Sequence, residues 1–199
     1  MNHNRHQNNR RNFLSKMLIT GVSGVALLTG TANARGRKGG NTGGSRSNTT
    51  SAMTEEQKDK LFFIYQEEKV ARDVYITLGK KYTNENTFAS IQLSEQRHID
   101  SARGLCEKYG VSTEGVDEDS VGNFVLQPLQ ELYNTCIAKG KKSLLDALEV
   151  GELVEVTDIE DLEHSMVGMP SDVVNVFENL KEGSLSHLDA FQSAISRAS

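Results

Sequence analysis

Counted at about 100° per residue, Phe88, Ile91, Ile99, Ala102, Leu105 and Cys106 fall on one side of a helix. The same period recurs in three other long segments. Leu61, Ile64, Ala71, Val74, Tyr75 and Leu78 form one stripe, and Leu144, Ala147, Leu148, Val154 and Leu162 another. Val173, Val176, Leu180, Leu188 and Phe191 form the last. Only two prolines occur, Pro128 and Pro170, and neither interrupts a periodic segment, so the fold class is all-α. The pattern predicts long helices over 54–82, 87–109, 142–165 and 171–197, with a shorter one over 128–139. Thr54-Glu55-Glu56-Gln57 reads as a capping box that opens the first helix. Segment 110–127, rich in Asp, Glu, Ser and Gly, reads as a surface connection that crosses the bundle.

Polar side chains share these apolar stripes. Glu95 and His98 stand one turn apart on the second helix, Glu155 lies near the centre of the third stripe with Asp158 one turn on, and Ser184 and His187 lie on the fourth. Glu152 sits at a margin, whereas Glu149, Glu160, Glu178 and Glu182 point outward. On the first helix Gln66, Lys69, Asp73 and Thr77 read as the wet face, and Glu67 and Glu68 flank the apolar direction. Heptad steps through Leu61 and Tyr75 favour Glu68 as the inward one; the other reading leaves both as flank carboxylates paired with Lys or Arg. An ionised carboxylate aimed at a core must be paired, protonated or bound to a metal. Of the five histidines, His3 and His6 lie in the N-terminal leader and His164 faces out, so the remaining two, His98 and His187, are the pair aimed inward. Carboxylate oxygen and imidazole nitrogen together suit iron, manganese or zinc.

The N-terminus carries Asn9-Arg10-Arg11-Asn12-Phe13-Leu14-Ser15-Lys16, an apolar run over 17–28, and Ala32-Asn33-Ala34. This reads as a twin-arginine signal peptide over 1–34, too short in its apolar part for the roughly 20 residues of a spanning helix. Residues 35–51 read as a flexible Gly/Ser-rich linker and 52–199 as one domain. Export to the periplasm or beyond follows, by a route that carries folded, cofactor-loaded proteins. Of 22 basic and 27 acidic residues, 8 basic and no acidic ones precede Thr50, which leaves −13 from Ser51 onward. That balance excludes nucleic acid as a partner. Cys106 and Cys136 lie on apolar faces, and a disulfide and two buried thiols both fit. With no Cys-x-x-Cys motif, a rubredoxin-type centre has no support, and no Gly-x-Ser-x-Gly or phosphate loop is present.

The strings Tyr65-Gln66-Glu67-Glu68-Lys69-Val70-Ala71-Arg72-Asp73-Val74-Tyr75, Ser94-Glu95-Gln96-Arg97-His98 and Gly183-Ser184-Leu185-Ser186-His187-Leu188-Asp189-Ala190-Phe191 resemble a specific family, the ferritin-like domain of unknown function numbered 2202. The resemblance runs over nearly all of 58–192 and implies a ferritin-like four-helix bundle, with the short extra helix in the crossover between helices two and three. It further implies a dimetal carboxylate site, which in its general form takes a Glu from each of two helices and a Glu-x-x-His from each of the others. Carried onto this chain, the ligands are Glu68, Glu95, His98, Glu155 and His187, with Glu67, Asp158, Glu152 and Ser184 as further candidates. Ser184 stands where rubrerythrin-like proteins have a second carboxylate, so five or six ligands would hold two ions or one. The expected cofactor is two transition-metal ions, iron or alternatively manganese, or a single ion. Tyr65 and Tyr75 are placed to tune the pocket by hydrogen bonding.

Three functions compete at this stage. One is an exported oxidoreductase of ferroxidase or peroxidase type, which would need an electron-donor protein. The others are a non-catalytic metal-binding or buffering module and a metal-free helical interaction domain. A homodimer through a helix face fits each of them, and none needs a membrane span in the mature chain.

Overall fold

A computed structural model describes residues 52–199; the signal-peptide and linker expectations fall outside them. Among the described residues there are five helices and no strand: α1 (Glu55–Lys81), α2 (Asn86–Tyr109), α3 (Gln127–Gly140), α4 (Leu144–Ser165) and α5 (Ser171–Ala198). Their ends carry local signals. Thr54 accepts from Gln57 N while the Gln57 side chain accepts from Thr54 N, completing the capping box. Ser143 caps α4 through Asp146 N. Pro128 stands at the start of α3, where a missing N–H costs nothing, and Gly110 takes the left-handed conformation (φ 64°) that ends α2.

The four long helices close a ring in the order α1, α2, α5, α4. Pairs of cross-helix contacts fix the directions. Glu68 meets His98 and Tyr75 meets Phe88; Glu95 meets His187 and Phe88 meets Phe191. Tyr75 meets Glu155 and Glu67 meets Asp161; Asp158 meets Ser184 and Gly151 faces Phe191, so each neighbour around the ring is antiparallel to the next. Helices α2 and α4 therefore run the same way. The chain between them must travel the length of the bundle, roughly 40 Å for a helix of 27 residues like α1. It does so as segment 110–126, and α3 then packs against α1 and α4.

The apolar stripes build two separate clusters. One, at the α3 end, gathers Val74, Tyr75, Leu78, Phe88, Ile91, Leu148 and Phe191. The other gathers Leu61, Ile64, Ile99, Leu105, Leu162, Phe177 and Leu180. On every long helix the polar residues picked out by periodicity lie between the two, so a polar belt separates two apolar layers. The thiols belong to different layers and are free, each pushed up to about 12 by burial. The disulfide alternative is not taken.

The wet face expected on α1 does not exist. Residues 64–75 are buried without interruption, Gln66, Lys69 and Asp73 among them, and Thr77 is half-buried. The cause is the crossover, which lies over this face as a strap. Lys69 Nζ donates to Asp73 Oδ2 (2.7 Å) and to the carbonyls of Ser120 (2.9 Å) and Asn123 (3.1 Å). Asp73 also accepts from Arg72 and from Gly122 N. Gln66 Oε1 accepts from the backbone N–H of Val125, and Glu118 accepts from Tyr65 OH and Arg103. A helix with neighbours on three sides has no solvent side for periodicity to find. No described helix is long and apolar enough to cross a membrane.

Candidate metal centre

The belt holds Glu68 from α1, Glu95 and His98 from α2, Glu155 and Asp158 from α4, and Ser184 and His187 from α5, all buried. Glu95 is central. Its Oε2 lies 3.0 Å from His98 Nδ1 and its Oε1 2.7 Å from His187 Nδ1. Glu68 Oε2 stands 3.1 Å from His98 Nδ1 on one side, and Glu155 Oε2 stands 3.5 Å from His187 Nδ1 on the other. The two imidazoles stack with centroids 5.4 Å apart. Two groups result, Glu68–Glu95–His98 and Glu95–Glu155–His187, each with ligand atoms within 4.8 Å of one another. They share Glu95, one oxygen facing each imidazole.

Hydrogen-bond geometry distinguishes this cluster from an ordinary polar network. Glu95 Oε1 and His187 Nδ1, an ion pair only 2.7 Å apart, are not aligned as a hydrogen bond, and Glu68 Oε1 and Asp158 Oδ1 are buried without a hydrogen-bond partner. Buried polar atoms left unpaired are rare because each loses its solvation without return. Close approach without mutual alignment is what two donors aimed at a common third point show. Ligands about 2.0–2.2 Å from an ion and at right angles to each other lie roughly 3 Å apart.

The electrostatics agree. Burial pushes Glu68 and Glu155 up to about 7, although His98 pulls the first down and His187 the second. Glu95 goes the other way: burial would raise it, but contact with both imidazoles holds it at about 2. Burial opposes protonation of the imidazoles, yet the carboxylates outweigh it and raise His98 to about 11 and His187 to about 9. Asp158 is raised well above the usual range by burial and by Glu68 and Glu155. Metal-free, the belt stores protons that a cation would displace. If all are ionised, Glu68, Glu95, Glu155 and Asp158 carry the charge that two divalent ions would balance.

Of the further residues expected from sequence, Asp158 is the one closest to the centre. It accepts from Ser184 Oγ at 2.6 Å, so Ser184 hydrogen-bonds a carboxylate of α4 where a second α5 carboxylate was looked for. Glu67 is buried but turns towards Asp161 and Asp158, in neither of the two groups. Glu152 is half-buried and accepts from Gln192 Nε2. Tyr75 donates to Glu155 Oε1 at 2.5 Å, inside the belt. Tyr65 does not reach it, because its hydroxyl is engaged by Glu118 of the strap.

Gly183 was not singled out from sequence. A Cβ there would stand 2.5 Å from His98 Nε2, so the bare backbone of α5 makes room for the imidazole. Its position one residue before Ser184 was the only available signal.

Three comparisons bear on kinship. The uncharacterized protein MJ0754 of Methanocaldococcus jannaschii is 42% identical over 140 residues, covering 70% of this chain and 75% of that protein. The crystal structure titled hypothetical protein MJ0754 from Methanococcus jannaschii DSM 2661 superposes with a TM-score of 0.72 at 38% identity, over 76% of this chain and 86% of that one. Residues 57–198 match the family described as uncharacterized protein domain DUF2202, and with nearly the whole helical domain covered the chain belongs to that family.

Proposed function

We propose that the chain is an exported ferritin-like protein whose belt holds two transition-metal ions, iron or manganese, and that it oxidises its metal or reduces peroxide or dioxygen. The observation that carries this reading is the pair of buried ligand groups sharing Glu95, with Glu68 Oε1 and Asp158 Oδ1 left without a hydrogen-bond partner beside them. The ring of four antiparallel helices, the crossover, and one ion-binding group on either side of Glu95 support it. His98 with Glu68 would hold one ion, His187 with Glu155 the other, and Glu95 would bridge. When bound, such a pair supplies redox chemistry that protein side chains lack.

The chain's own residues supply the rest. Tyr75 O–H holds Glu155 in place and keeps one of its oxygens occupied. Ser184 does the same for Asp158. The apolar layers on either side keep bulk water from the belt, and Gly183 lets the His98 ring lie against α5. A buffering module is the second reading, favoured by Ser184 where a further ligand would complete the set. A metal-free network is disfavoured by the same unpaired atoms, since a half-satisfied buried network is costly.

Metal analysis of the mature protein, purified without chelator or affinity tag, tests the proposal beside a His98→Ala/His187→Ala variant. Two ions per chain, lost in the variant, are expected, with ferrous oxidation or peroxide consumption following. One ion without turnover would favour buffering, and none after anaerobic reconstitution would remove both metal readings.

A further inference from the structure

Helix α4 carries a second series of polar side chains that the centre does not use up. Glu155, Asp158, Asp161 and His164 follow at three-residue steps. Each step rises about 4.5 Å and turns about 60° around the helix, so the series winds out of the core as it leaves the belt. Burial follows the winding: Glu155 and Asp158 are buried, Asp161 is half-buried and His164 is exposed. Facing it from α1 is Glu67, only 4% exposed, with Asp161 within hydrogen-bonding reach and Oε2 unpaired. The charges acting most strongly on Glu67 come from Asp161, Asp158 and Glu68, all acidic. Asp158 Oδ1, also unpaired, is the next oxygen inward.

We propose that Glu67 and Asp161, with Asp158 behind them, form a transit site through which a divalent cation passes from the surface at His164 to the belt. It rests on the reading of the belt as a metal centre. Two buried carboxylate oxygens without partners, Glu67 Oε2 and Asp158 Oδ1, beside the half-buried Asp161 are costly for a core but suit a path for cations. The donor chemistry also sets a direction. Glu67, Asp158 and Asp161 offer only oxygen and hold a transition metal loosely, whereas the imidazoles of His98 and His187 wait deeper and bind it more firmly. An ion entering at Asp161 therefore moves towards stronger ligands.

The test is the uptake of Co2+ by the chelator-stripped full chain, followed by rapid-mixing absorbance, with bound ions counted by equilibrium dialysis. Glu67→Gln, Asp161→Asn and the double variant are compared with the unaltered protein. Asp161→Asn, at the half-buried end, keeps the comparison readable if Glu67→Gln fails to fold. The expected result is an unchanged number of bound ions at saturation with uptake at limiting Co2+ slowed roughly tenfold in the double variant. Unchanged uptake would overturn the transit site and leave the centre standing. Loss of a tightly bound ion in Glu67→Gln would also overturn it, by making Glu67 a ligand of the centre itself. An unaltered protein that binds no Co2+ would remove the metal centre and the transit site together.

Discussion

Two buried polar regions adjoin on α1, and they are built on opposite plans. The strap side matches donors to carboxylates: Lys69 and Arg72 meet Asp73, and Tyr65 and Arg103 meet Glu118. Almost every buried atom there is paired, Gln66 Nε2 being the exception. The belt, one residue away at Glu68, gathers carboxylates and imidazoles with no lysine or arginine among them, and leaves Glu68 Oε1 and Asp158 Oδ1 without a hydrogen-bond partner. The first region is finished by the chain itself. The second sets four carboxylates, Glu68, Glu95, Glu155 and Asp158, against two imidazoles, and this contrast, more than the presence of buried charge, marks it as the candidate binding site.

The largest effect that should expose the difference is Asp73→Ala. It strands Lys69 and Arg72 under the strap and should cost about 3–5 kcal/mol of folding stability, read by urea denaturation. Asp158→Asn should do the reverse in the metal-free protein, leaving stability unchanged or raised, because burial already disfavours the charged form of that carboxyl, it has no cationic partner, and an amide oxygen can still accept from Ser184. If both variants lost comparable stability, the contrast would fail.

A pH series sharpens it next. Glu68 and Glu155, raised to about 7, stabilise the metal-free fold in their protonated form, a contribution lost as pH rises from the ordinary carboxylate range through 7. His187 and His98 lose theirs as pH rises further, through about 9 for His187 and about 11 for His98. Glu95, held at about 2, works oppositely and loses its contribution only as pH falls through that value. The chelator-stripped protein should therefore melt at a lower temperature at pH 8 than at pH 5. Metal binding releases the same protons, so the stabilisation conferred by added ions should grow over that interval.

Gly183→Ala should give the smallest change. The added methyl must displace the His98 ring, weakening one ion on the order of tenfold in a binding titration. Ala is otherwise the better helix former, so fold stability without metal should hold.

Helix ends and the inward direction of Glu95, His98, Glu155 and His187 were legible because each depends on local sequence. Caps and the 3.6-residue period place the ends within one or two residues of those observed, and apolar neighbours on the same helix set the direction. What escaped depends on a second element. Lys69 and Asp73 look solvated until the crossover is laid over them, Tyr65 looks like a pocket residue until Glu118 claims its hydroxyl, and Gly183 matters only because His98 arrives from α2. Glu67 and Glu68, between which heptad steps lean to Glu68 without deciding, are told apart by what faces them: Asp161 for the first, His98 for the second.

The most direct test is anomalous scattering at the iron and manganese edges from crystals of the mature protein grown without chelator. Two peaks flanking the Glu95 carboxylate are expected, one beside Glu68 and His98 and the other beside Glu155 and His187. An empty belt in metal-supplemented crystals, with both imidazoles still resting on Glu95, would contradict the claim that its unpaired ligands exist to hold metal.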